Sequence, residues 1–303
     1  MKPFFLFVAT IFTVQAATGQ AYVSTGGQKY TLVEEATSTY CGYDPDGTQN
    51  IQESIQPVYP RAIVACWHAV YGTDPMTLAG DPWGATGYIT AVPMATIDRA
   101  PMGATTVVNV GKNRPWQSYV STRDSQIPNF DVSINCSYNS TARLLNISVT
   151  GTALSSMTGT WNMSAIIVED SVSSSPASGT AYAQMCGYIN NNTLSCAGTP
   201  NWYYLKGVTM GSTGYLYLPD SIFSHMNVVR AVLGSGDSVW RAHAFTDPNA
   251  GDTTTRNYTY VIPVKVNPHF VKVIAVVQKY GATKMEREIE NCIQAKVSLI
   301  SPE

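Results

Sequence analysis

Residues Tyr30–Trp67 read YTLVEEATSTYCGYDPDGTQNIQESIQPVYPRAIVACW. The stretch opens with a strand pattern over Tyr30–Ala36. It closes with the continuous apolar run Ala62–Trp67, which is typical of a strand covered on both faces of a parallel sheet. Between the two, apolar side chains four residues apart favour a helix over Asp46–Gln56. Strand, helix and strand joined by short links predict a βαβ unit.

The pattern changes downstream of Pro128, where apolar and polar residues alternate in short segments. These segments fall over 132–135, 145–149, 165–168, 239–245, 258–264, 271–277 and 289–297. Turn residues separate them, so this half is predicted to be an antiparallel β-sandwich. The predicted fold class is α+β, with an α/β domain over 28–125 and the sandwich domain over 128–300.

The N-terminus predicts export from the cytoplasm. An apolar run starts at Phe4, just after Lys2, and fades by Val14. It is shorter than the roughly 20 residues that cross a bilayer. Small residues follow at Val14-Gln15-Ala16, so we expect a cleaved signal peptide over 1–17. The alternative is a buried N-terminal strand, which the polar, Gly-rich sequence after residue 17 disfavours.

The charge and the cysteine content of the chain limit its possible functions. The chain has 18 basic and 20 acidic side chains, and this near-balance argues against a nucleic-acid partner. Its six cysteines all lie beyond residue 17, and an even number in an oxidising compartment permits disulfides. The pair Cys186 and Cys196 closes the shortest loop and is the disulfide we predict. Cys66 lies in an apolar run, where a buried thiol is an ordinary finding.

Cys41 is the strongest candidate for a chemically reactive residue. It lies between the first strand and the helix, where backbone N–H groups and the helix dipole stabilise a thiolate. A dithiol enzyme needs a second cysteine three residues later to resolve the mixed disulfide. That position holds Asp44, whose negative charge disfavours a thiolate. Cys41 is therefore either a thiol that acts alone or part of a structural bridge, with Cys66 or a later cysteine.

Several motifs along the chain resemble a single family. They are Glu34-Glu35-Ala36-Thr37, Cys41-Gly42-Tyr43-Asp44-Pro45-Asp46-Gly47, Trp67-His68, Asp74-Pro75-Met76, Val92-Pro93-Met94-Ala95-Thr96-Ile97-Asp98-Arg99, Val168-Glu169-Asp170, His225-Met226-Asn227-Val228-Val229-Arg230-Ala231 and Ile293-Gln294-Ala295-Lys296-Val297. Together they resemble the Bacteroidetes outer membrane protein twenty-eight-related family, over nearly all of the mature chain.

This resemblance implies a thioredoxin-like domain fused to a β-sandwich, in a protein of the cell envelope. It places Pro93 at the position of the cis-proline that faces the reactive cysteine, so Cys41 and Pro93 would form the site of any redox activity. The family often carries a Cys–Gly–Tyr–Cys pattern, from which this chain departs at Asp44. The resemblance therefore implies the fold more strongly than it implies thiol chemistry.

Weaker candidates have plainer explanations. Cys66 and His68 lie on one side of a strand, but a zinc site needs about four ligands, and no second pair is evident. We therefore predict no metal and no cofactor. The turn Asp44–Gly47 lacks the downstream glutamate of a calcium loop. His225 lies beside Arg230 without a partnered nucleophile, so a structural role is favoured over catalysis.

Aromatic residues offer a second type of site. Trp202, Tyr203 and Tyr204, with Tyr215 and Tyr217 nearby, could form a surface that binds a glycan or a peptide, because aromatic rings give large contact area with few rotamers. Strand pairing and core packing are the favoured alternative, since aromatic residues prefer strands in any case.

These observations predict an exported protein of the periplasm, outer membrane or cell surface, attached to the membrane peripherally if at all. The favoured function is non-catalytic binding of a protein, peptide or glycan partner. One alternative is a thiol–disulfide exchange protein acting through Cys41. The other is a surface adhesin that uses Trp202, Tyr203 and Tyr204.

Overall fold

The structure is a computed structural model. It describes residues 18–68, 74–78, 91–103, 108–109, 116–173, 182–186, 216–218, 223–234 and 243–297. The expected signal peptide over 1–17, the aromatic residues Trp202, Tyr203 and Tyr204, and Cys196 lie outside these residues.

The βαβ unit expected from Tyr30–Trp67 is present. Strand β2 (Thr31–Thr37) lies parallel to β3 (Ala62–His68), with Thr31 opposite Ala62. Helix α1 (Asp44–Gln49) connects them and continues into a π-helical segment (Asn50–Ile55). The helix begins two residues before the expected Asp46, because Pro45 suits the first turn of a helix.

Strands make up most of the remaining described structure. They are β1 (Thr18–Ser24), β4 (Met94–Ile97), β5 (Val108–Asn109), β6 (Phe130–Asn139), β7 (Leu144–Ala153), β8 (Thr160–Glu169), β9 (Gln184–Cys186), β10 (Leu216–Leu218), β11 (Val228–Leu233), β12 (His243–Thr246), β13 (Thr253–Val261), β14 (Val271–Lys279) and β15 (Ile289–Lys296). A second helix, α2, spans Trp116–Asp124, and short 3₁₀ turns lie at Pro268–Phe270 and Lys284–Glu286.

Two sheets dominate the fold. The smaller is antiparallel, with the order β1-β6-β7-β13. The larger has nine strands in the order β15-β14-β8-β11-β3-β2-β4-β5, with β12 also paired to β8. A short separate pair joins β9 and β10. Each segment expected to be a strand beyond residue 128 overlaps a strand in the structure. The expected segment 258–264 extends past the end of β13 at Val261, because Pro263 has no N–H to donate to a sheet. Val297 lies one residue beyond β15, and residues 239–242 lie outside the described part.

The two sheets pack face to face around the main hydrophobic core. Alternate residues of β6, such as Phe130 and Val132, point into this core, and the residues between them are more exposed. The ring of Phe130 lies 5.6 Å from that of Trp161 and 5.0 Å from that of Phe245. Strands β8 and β14 are buried along nearly their whole length. This explains why their sequences read as apolar runs rather than as alternation.

The helices cover one face of β2, β3 and β4. Ile51 and Ile55 from the helical segment, and Trp116 and Val120 from α2, pack with Val33 in a separate core cluster. Ile51 and Ile55 are the two residues whose spacing predicted the helix. The described structure is therefore mostly β with few helices.

The nine-stranded sheet contains strands from both sides of the expected boundary near residue 125. Strands β2–β5 come from the first part of the chain, and β8, β11, β12, β14 and β15 come from the second. The domain limits 28–125 and 128–300 stay a prediction.

A buried arginine of the first part, which is paired with a glutamate, also hydrogen-bonds to the second part. Arg99, which follows β4, donates to both carboxylate oxygens of Glu34 on β2, with its Nε 2.6 Å from Oε2. Its Nη1 lies 3.1 Å from Oε1 of Gln278 on β14. All three side chains are almost completely buried. A neighbouring carboxylate, that of Asp98, binds Lys29 at 2.7 Å and Arg123 at 2.8 Å.

Within the described residues, no helix is both long and apolar enough to span a membrane.

Candidate functional site

Cys41 lies in the turn between β2 and α1. Its backbone N–H donates to the Ser38 carbonyl at 3.2 Å. Its Sγ lies 3.6 Å from the carbonyl oxygen of Val92, and the Val92–Pro93 peptide bond is cis, as the resemblance implied. The structure thus brings Cys41 and the Pro93 loop together.

Asp44 lies directly beside this thiol. Its side chain is completely buried, and its Oδ2 accepts hydrogen bonds from the backbone N–H of Ser38 and, at 3.2 Å, from the hydroxyl of Thr37. Burial raises the pKa of Asp44 to about 8, even though these bonds and one from Cys41 oppose the shift. At neutral pH a large share of the Asp44 carboxyl groups is therefore protonated.

The Cys41 thiol is held in its neutral form. Burial, and then the nearby Asp44 carboxylate, raise the pKa of Cys41 to about 12. Backbone N–H groups of Tyr43 and Asp44 lower this pKa, as expected for the start of a helix, but burial and the Asp44 charge outweigh them. The helix is only six residues long, and its first turn carries acidic side chains. Because the thiolate is the nucleophilic form, Cys41 is a poor nucleophile at neutral pH.

A second buried acidic side chain, that of Glu35, interacts with Asp44. Glu35 on β2 is opposite Cys66 on β3, and Cys66 Sγ donates to Glu35 Oε2 at 3.3 Å. Burial, and then the charge of Asp44, raise the pKa of Glu35 well above its usual value. Burial likewise raises the pKa of Cys66. We did not single out Glu35 as a site residue from the sequence. The sequence signal was the pair Glu34-Glu35 inside the predicted strand Tyr30–Ala36. The structure adds that this strand is buried at every position.

Strand β9, which is distant in sequence, forms hydrogen bonds to the turn that contains Cys41. The Gln184 side-chain amide donates to the carbonyl of Ser38 at 3.1 Å and to that of Cys41 at 2.9 Å. The backbone N–H of Met185 donates to the Thr39 carbonyl at 2.8 Å. Cys186, on the same strand, is buried. The expected Cys186–Cys196 disulfide stays a prediction, because Cys196 lies outside the described residues.

A histidine pair lies close to the same turn. His68 Nδ1 is 3.0 Å from Asp74 Oδ2, which also accepts from the backbone N–H of Thr39 at 2.7 Å. The ring of His225 lies 5.2 Å from that of His68. Its Nε2 lies 2.7 Å from the Tyr182 carbonyl, so that nitrogen carries the hydrogen. Burial, and then His68, lower the pKa of His225 to about 3, so this ring is neutral at physiological pH.

Four of the described cysteines are free thiols: Cys41, Cys66, Cys136 and Cys292. The bridge between Cys41 and Cys66, one of the options considered above, is therefore not formed. In the part of the chain that the structure describes, no group of three or more His, Cys, Asp and Glu side chains is arranged to hold a metal ion.

The arrangement of the two sheets and the Cys41 turn can be compared with known proteins. The fold is similar to that of HBP35 of Porphyromonas gingivalis. The match has a TM-score of 0.62 and covers 89% of this chain and 75% of that chain, at 14% sequence identity. At this identity the likeness to HBP35 shows the fold alone. Its source belongs to the Bacteroidetes, the group of the family that the sequence motifs resemble.

No protein-family model and no curated protein matches the chain.

Proposed function

We propose that this protein is an exported, envelope-associated binding protein. Residues 28–125 form a degenerate thioredoxin-like domain that binds a partner without thiol chemistry, and the β-sandwich over 128–300 supports it. The observation that carries this proposal is the buried Asp44 at the position of a resolving cysteine. The motif resemblance and the fold shared with HBP35 support the architecture.

The ionisation of the site supports a non-catalytic role. Thiol–disulfide exchange begins with a thiolate, and the best attacking thiols have a pKa near the ambient pH. The pKa of Cys41 is raised to about 12, far from that optimum. The neighbouring thiol, Cys66, is buried and bonded to Glu35 rather than facing Cys41.

The surface around Cys41 is suited to contact with another molecule. Tyr40 and Tyr43 flank the cysteine and are 43% and 51% exposed. Tyrosine is enriched at the energetic centres of protein interfaces, because its ring buries a large area and its hydroxyl bonds to polar groups. We expect a protein or peptide partner to cover these two rings and the Pro93 loop.

Photo-crosslinking in cells tests this proposal. A benzophenone side chain replaces Tyr43, and a second variant carries it at Tyr280, which is 40% exposed and lies in another part of the chain. We expect discrete adducts at position 43 that Tyr40→Ala abolishes and that Cys41→Ser preserves. No adduct at position 43, or the same adducts at position 280, would contradict the proposal.

Thiol–disulfide exchange is the second candidate, because Cys41 is a free thiol facing a cis-proline loop. It predicts mixed disulfides between Cys41 and its partner, which form without irradiation, disappear in Cys41→Ser and are released by reductant. It also predicts that the purified protein catalyses the reduction of insulin by dithiothreitol. We expect no catalysis by the native chain. Asp44→Cys, which restores the Cys–Gly–Tyr–Cys spacing, is the positive control.

A further inference from the structure

The large sheet has a gap between two of its neighbouring strands. Strand β11 pairs with β3 at a single position, Val228 with Cys66, because β11 begins there and continues past the end of β3. Among the described residues, the first half of β3 therefore has no strand partner on this side. A cavity of about 420 Å³ is lined by Ala62, Ile63 and Val64 of this half, together with Asn227 and Lys272.

The hydrogen-bond pattern shows which backbone groups point towards the gap. The Arg61 carbonyl accepts a hydrogen bond from the Thr31 N–H on β2 at 3.1 Å. On the opposite side of β3, the Cys66 N–H donates to the backbone carbonyl of Asn227 at 2.8 Å. Successive residues of a strand bond to alternate sides, so both polar groups of Val64 and the carbonyl of Ala62 point to the side of the cavity. Within the described residues, these three groups have no hydrogen-bond partner.

A buried polar backbone group is almost always paired, since an unpaired one loses its bonds to water without compensation. Val64 is only 2% exposed. Its N–H and C=O therefore offer a molecule in the cavity one hydrogen-bond donor and one acceptor.

The side chains of the cavity define what such a molecule would be. Lys272 is the single charged lining residue, and Asp170, 2.6 Å from its Nζ, neutralises it. Lys272 also donates to the side-chain oxygen of Asn227. This leaves the Asn227 amide nitrogen without a partner among the described residues. Gln56 and Gln294 add neutral amides. The cavity thus presents neutral donors and acceptors, which match amide groups better than phosphate or carboxylate.

From these observations we infer that the cavity binds a short extended peptide segment, which adds to the free edge of β3 as a strand. Carbonyls of the peptide accept from Val64 N–H and from the Asn227 amide, and its N–H groups donate to the carbonyls of Ala62 and Val64. The volume is in the usual range for ligand pockets, about 300–1,000 Å³, which limits the segment to a few residues. This site shares no lining residue with the Cys41 turn.

Amide hydrogen exchange followed by NMR tests the free edge directly. The probe is the blocked peptide acetyl-Thr-Val-Thr-amide, and its control is the same peptide with the central amide N-methylated. In the protein alone, we expect the Val64 amide to exchange faster than those of Ile63 and Ala65, which are bonded to β2. The probe should slow Val64 exchange by about tenfold or more, and the N-methylated peptide should bind at least about fivefold more weakly.

Two matched variants test whether the peptide binds in the cavity. Gln56 lines it, whereas Gln52 is one helical turn away, is exposed and does not line it. We expect Gln56→Trp to weaken probe binding by about tenfold and Gln52→Trp to leave it unchanged. The inference is overturned if the probe does not bind, if both variants behave alike, if N-methylation has no effect, or if Val64 is as protected as Ile63 without peptide.

Discussion

The chemistry of the Cys41 turn depends on one neighbouring residue. Asp44 is buried at the start of α1, where its carboxyl is bonded to Ser38 and Thr37 and interacts with the cysteine. Burial favours the protonated form of both groups. The charge of Asp44 adds to the shift at Cys41, whereas the hydrogen bond from the Cys41 thiol lowers the pKa of Asp44. The aspartate three residues after Cys41 therefore adds to the effect of burial in keeping this thiol neutral.

The raised pKa of Asp44 makes stability depend on pH. In the folded protein this pKa is about 8, against about 3.9 for an unfolded aspartate. Between these values the folded state holds a proton that the unfolded state releases, so stability is greatest below pH 4 for this group and falls as pH rises to about 8. One group contributes at most about 1.4 kcal/mol per pH unit. In Asp44→Asn, urea denaturation at pH 5, 6.5 and 8 should show a smaller loss of stability with pH.

The control for this measurement is Glu53→Gln, which neutralises an exposed acid on the adjoining helical segment. It should retain the native pH dependence. Equal slopes for native protein and Asp44→Asn would show that Asp44 is ionised when folded.

The same substitution should make Cys41 more reactive. Asp44→Asn removes the second cause of the raised Cys41 pKa and leaves burial in place. We expect the maleimide labelling rate of Cys41 at pH 8 to rise by about tenfold, which corresponds to a fall of about one unit in its pKa. Asp124→Asn, at the exposed ion pair with Arg61, serves as the control. A rate that does not change would mean that burial alone keeps the thiol neutral.

At the scale of elements, the approach of α1 to β2 determines the site geometry. Gly47 lies on the helix where a Cβ atom would come within 2.2 Å of Glu35 Oε1 and 3.1 Å of Pro93 Cβ. The absence of a side chain at Gly47 therefore lets the helix lie against both the buried acid and the cis-proline loop. This contact positions the three segments of the site relative to one another.

Gly47→Ala should destabilise the protein by about 1–3 kcal/mol, the usual effect of overpacking a buried contact. Chemical denaturation measures this loss. In a Glu35→Ala background the same substitution should have a smaller effect, because the conflicting carboxylate is gone. Equal losses of stability in the two backgrounds would show that Glu35 does not cause the steric conflict.

The segment after β4 connects strands from both parts of the chain. Asp98 and Arg99 adopt positive φ values of 52° and 51°. This conformation turns the chain so that Arg99 pairs with Glu34 and bonds to Gln278. Loss of one partner would leave a buried charge without compensation, which is far more unfavourable than loss of an exposed pair.

Arg99→Met should therefore destabilise the protein by about 3–5 kcal/mol, measured by urea denaturation. Arg61→Met is the matched control. It breaks the pair with Asp124, in which the arginine side chain is 37% exposed, and should reduce stability by about 1 kcal/mol or less. Similar losses in the two variants would contradict a structural role for the buried pair.

At the scale of the whole molecule, one sheet runs through both parts of the chain. Strand β11 comes from the second part, yet it lies between β8 of that part and β3 of the first. The core that includes Leu32 and Ala65 of the first part also includes Ile166 and Ile274 of the second. Neither part can bury these residues without the other.

We therefore expect the full chain to unfold in a single cooperative transition. Urea denaturation followed by tryptophan fluorescence and by far-ultraviolet circular dichroism should give coincident curves. Trp67 reports on the first part and Trp161 on the second, and both are buried. Two separate transitions would show that the regions 28–125 and 128–300 fold independently.

The local sequence was sufficient to predict most elements. The apolar run Ala62–Trp67, the spacing of Ile51 and Ile55, and the alternation after residue 128 each reflect the burial of neighbouring side chains. Such patterns survive in a linear sequence, because the repeat of a strand or helix is only a few residues long. The short segment Thr18–Ser24 has no such pattern, and the sequence does not predict its pairing with β6 as strand β1.

The sequence by itself determined that a βαβ unit precedes a set of antiparallel strands and that Asp44 occupies the place of a second cysteine. Only the tertiary structure decided the insertion of β11 beside β3, the cavity that this leaves, and the ionisation of Cys41 and Asp44. The pKa values depend on burial in a folded site, where Gln184 and Val92, both distant in the chain, hydrogen-bond to Cys41. Strand order and burial arise from contacts between remote residues, and no short stretch of sequence carries that information.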